Sequence, residues 1–383
     1  MKFLKAINRK TVKRIAINFV GILLLAIGLS QVTTDDLSTL PYFSSAGITD
    51  YDSSDFYQFV ANARNERLLD NHIVIVPIDT LSRMDIATLV EDISLCNPAA
   101  IGLDVFFGYV ADHDSLLLEL LKQEPRLVLP MGVDAEGDEG WKARNAYLFD
   151  STQQQRGVIN LNISTPYSVV RNFRPYYQTD RGKIPHFTTA LARMAVPESE
   201  THLQQWLSQA SHGEEDEEGQ VVYINYGSRE YEIIEPSQVI EKPEALENKV
   251  VLLGTLNDMQ DVHITPISEQ MPGILIHAYT LSTILDADEL TPLPKWAQWL
   301  LAIVLSLCFV MVSSASLNYR AGNLFMRLFQ IAMFLLVVVC GTLLFFHLHL
   351  IVDLTFPLSL IALGLLALDL WNGILGVLRV KDL

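Results

Sequence analysis

Cysteine is scarce in this chain: three residues in 383. Cys308 and Cys340 lie in apolar runs and Cys96 stands alone mid-chain, which excludes a disulfide framework or a zinc spacing. Cys96 reads as a small core residue. Basic residues are scarce through the middle. Residues 32–295 carry 17 Lys/Arg against 41 Asp/Glu, a net of about −24, which excludes nucleic-acid binding through a basic face. The acid excess reads first as solubility, with cation or basic-partner binding as the alternative. Catalytic motifs are absent as well. There is no Walker A motif, kinase glycine-rich loop, phospho-acceptor helix or Gly-Gly-Asp-Glu-Phe segment. Ser53-Ser54 and Ser313-Ser314 lack nucleophile-elbow context. The chain is therefore expected not to be an enzyme.

Half of the residues are hydrophobic, and the uninterrupted apolar runs sit at the two ends. Residues 15–32 are uncharged and just long enough to span a bilayer. Six basic residues precede them (Lys2, Lys5, Arg9, Lys10, Lys13, Arg14) with no acid, which places residues 1–14 in the cytoplasm. No Ala-x-Ala-type site follows, so an uncleaved anchor is favoured over a signal peptide. Three further runs, 296–316, 328–346 and 351–372, are each long enough to span. Arg320 and Arg327 lie between the first two, and Arg379 and Lys381 follow the third. One span before and three after puts these basic residues and the tail 373–383 inside, and residues 33–295 outside. His347 and His349 then flank a tight outer turn, a weak metal signal, and Asp353 and Asp369 are acids near or inside spans. So few spans make a transporter a poor reading.

The middle reads as alternating strands and helices. Ser54–Leu69 is expected as a helix with Phe56, Phe59, Val60 and Ala63 on one face. His72–Asp79 and 99–105 read as strands around a helix over 84–95, a unit that suggests a parallel pair with a right-handed crossover. Further elements are a helix over Ser115–Lys122, strands over 126–132, 157–162, 171–177 and 220–227, and a helix over 185–194. Lys249–Gly254 is a short apolar run closed by glycine, which reads as a buried strand. A polar loop with Asp258, Asp261 and His263 follows, then the break Thr265-Pro266, and Pro272-Gly273 opens an apolar helix.

This last stretch resembles the end of the CHASE2 domain, an extracytoplasmic sensory module of bacterial signalling proteins. The resemblance rests on Val251-Leu252-Leu253-Gly254, Asp261, Thr265-Pro266, Pro272-Gly273 and His277-Ala278. It extends to Ile78-Asp79, Ser82, Ile101-Gly102-Leu103-Asp104, Phe106-Phe107 and an Asp112/Asp114 helix opening. Arg83-Met84-Asp85 stands where the family has a longer loop with Trp-Pro-Trp and an Arg, which puts any ligand contact there in doubt.

The resemblance implies an α/β extracytoplasmic sensor over 33–295, with a mainly parallel or mixed sheet, and membrane helices in a one-plus-three arrangement in a bacterial cytoplasmic membrane. It implies a sensor whose signal passes to a separate cytoplasmic protein, in a homo-oligomer or heteromeric complex. The alternative is a non-catalytic scaffold that binds an envelope partner.

Ligands of open parallel sheets bind outside the C-terminal strand ends. Asp79, Ser82, Asp104, Asp258 and Asp261, with His263 or His277 nearby, are therefore the candidate ligand-binding rim. No cofactor is called for, although such carboxylates could hold a divalent cation. Structural roles compete. Asp79 and Ser82 suit helix N-caps, Asp258 and Asp261 suit a turn, and His277 suits a residue that ties the Asp261 loop down.

Overall fold

The strand sequences IVIVP, AIGL and VVLLG are apolar at every position, as befits a sheet covered on both faces. The computed structural model describes residues 52–64, 67–135, 141–145, 154–162, 169–196, 221–316 and 322–354, with a few positions in 16–21 and 357–361. The chain divides into two compact units, Gln58–Leu290 and Met1–Tyr57 with Thr291–Leu383.

Helix α1 is Ser53–Arg64, followed by β1 (Leu68–Pro77), α2 (Arg83–Leu95), β2 (Ala100–Leu103), α3 (Asp114–Gln123) and β3 (Leu127–Ala135). Then come β4 (Trp141–Asn145), β5 (Gln155–Val158), β6 (Asn172–Phe173), β7 (Tyr176–Thr179), β8 (Gly182–Pro185) and α4 (Phe187–Ala195). After β9 (Val222–Tyr223) and β10 (Arg229–Ile233) follow the short α5 (Pro243–Leu246), β11 (Val250–Gly254), β12 (Val262–Thr265), β13 (Ser268–Pro272) and α6 (Gly273–Asp286).

Among the described residues the main sheet has nine strands in the order β10-β1-β11-β2-β3-β4-β7-β8, with β5 also on β3. The strands β10, β1, β11, β2, β3 and β5 run parallel, while β4 is antiparallel to β3 and β8 to β7. The sheet is thus mixed, with a parallel core. Alternation along the strands divides the core in two. Ile73, Ile75, Val250 and Leu252 pack with α4 and α6, whereas Val74, Val76, Val251 and Leu253 pack with α2 and α3.

Several boundaries differ from the sequence reading. Helix α1 ends at Arg64, and Leu68 and Leu69 open β1. Its buried face is Ser54, Tyr57, Gln58 and Ala61, and Phe59 is exposed; the polar Gln58 is held inside because its Oε1 accepts from the Tyr226 N–H (2.7 Å). The strands β1 and β2 are parallel but not a pair, because β11 lies between them. The expected strand over 171–177 is two short ones, β6 and β7, and the expected strand over 220–227 shrinks to β9. The hairpin β12–β13 and the edge strand β10 have too few apolar residues to be read from alternation.

In the second unit, α7 (Lys295–Ser316) and α8 (Gly322–Leu348) are the two helices among the described residues long and apolar enough to cross a membrane. Arg327 lies inside α8, not in the preceding connection. The short strands β14 (Thr291–Pro292) and β15 (Leu350–Ile351) pair in parallel, so the run expected from 351 opens as a strand. The Ser53 hydroxyl accepts from the Leu354 N–H (2.8 Å) and donates to Asp353 Oδ1 (3.3 Å). The Tyr57 hydroxyl donates to the Val352 carbonyl (3.0 Å). The expected span 15–32, most of 351–372 and Asp369 lie outside the described residues.

Candidate functional site

The strands β1, β11 and β2 are neighbours, so the loops after Pro77, Gly254 and Leu103 share one rim at the C-terminal ends of the parallel core. Two glycines let the helix that completes this rim approach. A Cβ on Gly254 would come within 2.7 Å of the Ile274 side chain, and one on Gly273 within 2.6 Å of both Asp261 carboxylate oxygens. The Asp261 carboxylate therefore lies against the first residue of α6, where the helix N-terminus favours negative charge.

The six candidate residues separate into two groups. Asp79, Ser82 and Asp258 serve the fold. Asp79 is not a helix cap: its Oδ1 accepts from the Leu256 and Asn257 N–H groups (2.9 and 2.8 Å) and holds the loop after β11. Ser82 caps α2 in a reciprocal capping box with Asp85, whose carboxyl is lowered by the Ser82 hydrogen bonds. Asp258 accepts from the Gln260 N–H (2.8 Å) in an exposed turn.

Asp104, Asp261 and His277 converge. Asp104 directly follows β2, and its N–H donates to the Leu253 carbonyl (2.8 Å). Its Oδ2 is 3.8 Å from His277 Nε2, and the two side chains are 10% and 3% exposed. Burial, reinforced by the Asp261 charge, pushes the Asp104 carboxyl up to about 7. Burial pulls the His277 imidazole down to about 4, with Asp261 opposing and His263 assisting. The His277 Nδ1 is buried with no hydrogen-bond partner. His277 thus faces Asp104 rather than tying down the Asp261 loop; Asp261 Oδ1 lies instead 3.2 Å from His263 Nε2. Among the described residues no three His, Cys, Asp or Glu side chains are grouped to hold a metal ion.

Sequence reasoning missed two parts of the domain. His186 starts α4 with its ring centroid 5.5 Å from that of His277, and burial pushes it well below its ordinary value; the Pro185-His186-Phe187 segment at a helix start was its one signal. At the other ends of β1 and β10, Arg229 pairs with Asp286, with Asp288 (2.5 Å) and with Asp70 (3.6 Å), beside a cleft that also takes in Leu68 and Asn225. Asp70 Oδ2 also accepts from the Ser282 hydroxyl (2.7 Å). The shortened loop at Arg83 has its own use. Arg83 pairs with Asp114, donates to the Tyr109 carbonyl (2.7 Å) and lies over the Phe107 and Tyr109 rings, pinning the segment after Asp104.

Comparison with known proteins gives a match to the family described as CHASE2 domain over residues 25–312. No curated protein and no solved structure matches the chain.

Proposed function

Since the chain belongs to the CHASE2 domain family, whose members are extracytoplasmic sensory domains, we propose that it is a membrane-anchored sensor that passes its signal to a separate cytoplasmic effector. The observation that carries this reading is the convergence of Asp104, Asp261 and His277 at the C-terminal ends of a parallel sheet, where such folds place their ligands. A buried imidazole nitrogen without a hydrogen-bond partner, His277 Nδ1, costs stability that a purely structural rim would not spend.

The membrane arrangement is part of the proposal. Spans over 15–32, 296–316, 328–346 and 351–372 put the basic residues of 1–14 and Arg320 in the cytoplasm, and residues 33–295 outside. Output is assigned to a partner that docks on the cytoplasmic connection or on the spans. A homo-oligomer or heteromeric complex suits this role. A signal moves such an assembly only through its different affinity for two states of the domain.

The test is a mild-detergent pull-down of the full chain from native membranes, with mass spectrometry of the co-purified proteins. A stoichiometric cytoplasmic kinase, cyclase or related signalling protein is the expected result. Recovery of the chain alone, or with envelope proteins only, would overturn the split-sensor reading in favour of a non-catalytic scaffold.

A further inference from the structure

Asp104 and His277 come from the ends of two different elements, and each is held in place by backbone structure: Asp104 by the Leu253 carbonyl, His277 by the second turn of α6. At 3.8 Å their polar atoms are too far apart for a hydrogen bond, yet close enough for each to feel the other's charge. The titratable groups that face them are Asp261 from the loop after β11, His263 from β12 and His186 from the start of α4. Phe187 closes the remaining side, its ring 5.3 Å from that of His277. No lysine or arginine is among the groups found to influence Asp104 or His277.

We propose that the Asp104–His277 pair is a proton-binding site through which the extracytoplasmic domain reads external pH, with the start of α6 loosening as the medium turns alkaline. This deepens the sensor reading above by naming the signal, and it rests on that reading. With Asp104 protonated and His277 neutral, the pair is uncharged and tolerates burial. When the Asp104 proton leaves to bulk water, a carboxylate remains beside the Asp261 carboxylate, with two neutral imidazoles for neighbours. That charge is relieved by separation from Asp261 and by hydration, and the Asp261 carboxylate lies against the Gly273 end of α6. In sequence, α6 is the last helix before α7, so loosening its start alters the element that leads toward the proposed membrane spans. The value near 7 for Asp104 places its step at neutral pH, and His277, held near 4 by burial, is neutral as that step begins.

The experiment is pH-difference infrared spectroscopy of the full chain reconstituted in lipid, paired with amide hydrogen exchange. One buried carboxylic-acid C=O band should vanish as pH rises through neutrality. Exchange at 273–280, beyond the intrinsic effect, should rise about threefold as pH climbs from 6.5 to 7, where opening releases a proton that His277 no longer takes up, and should level off above that. Asp104→Asn should lack both the band and the exchange response. A wild-type chain with no such band, or an Asp104→Asn chain with the wild-type exchange response, would overturn the proposal. If Asp104→Asn fails to fold, Asp104→Glu decides: the titrating C=O band should shift in frequency from the wild-type position, and an unmoved band would overturn the proposal. A titrating band together with a pull-down that yields no cytoplasmic protein would leave the proton site standing and remove the split-sensor reading.

Discussion

His277 and Asp104 carry opposite shifts, and this has a consequence for stability. Asp104 is raised, so its contribution is present below its ordinary value of 3.8 and is lost as pH rises toward about 7. His277 is depressed, so its contribution is present above 6.5 and is lost as pH falls toward about 4. Between these limits the folded pair and the unfolded pair each bind one proton, and the two slopes cancel. Single variants should expose them. Asp104→Asn should lose stability as pH falls from 6.5 to 4, and His277→Gln should lose it as pH rises through the same window. Each should change by about tenfold in the folding equilibrium per pH unit. Urea denaturation of the full chain in detergent checks this, and slopes of the same sign in both variants would refute the neutral-pair assignment. At this scale the sequence was half legible. Asp104, Asp261 and His277 stood out as polar residues at or just beyond the C-terminal ends of apolar strands, or in the apolar helix that follows. Asp79 and Ser82 stood out for the same reason, and only their hydrogen bonds to Asn257 and Asp85 reveal them as structural. His186 gave only the signal of a helix start, because the ring it lies against, His277, comes from another helix.

At the scale of elements, apolar strands and amphipathic helices were readable because their burial pattern is local. The strand β10 was not. Its sequence, REYEI, is dominated by charge, and it is placed at the sheet edge by pairing with β1 and by Arg229. The Arg229 side chain is 15% exposed and ties β10 to the end of α6 through Asp286 and Asp288, and to β1 through Asp70. Arg229→Ala leaves three carboxylates without their cation, so a loss of about 3 kcal/mol is expected. Loss of amide protection should be largest in β10 and the last turn of α6. Native-state hydrogen exchange measures it, and unchanged protection there would show that Arg229 is a surface pair of little worth. The order β1-β11-β2 has the same lesson. Inserting the strand over 250–254 between two earlier ones depends on contacts across much of the chain, which no local pattern encodes.

For the whole molecule, the proposed arrangement makes a directional statement about the membrane. In a cysteine-free background, Asp258→Cys should react with a membrane-impermeant thiol reagent on intact cells, whereas Arg320→Cys should react only after permeabilisation. The reverse result would invert the topology. Apolar runs of spanning length, the basic cluster at 2–14 and the acidic middle are properties of composition along the chain. They need no folding to be read, so the sequence by itself determined the division into apolar ends and a charged α/β middle. The motif residues from Ile78 to Ala278 likewise sufficed for the CHASE2 family. Only the tertiary structure decided which of the rim carboxylates are spent on loops and caps and which one is left buried. That choice depends on desolvation and on partners brought from distant segments: Asp104 from the end of β2, Asp261 from the loop after β11, His277 from α6. Burial is a property of the packed whole, and burial is what turns an ordinary aspartate into a group that holds its proton near neutrality.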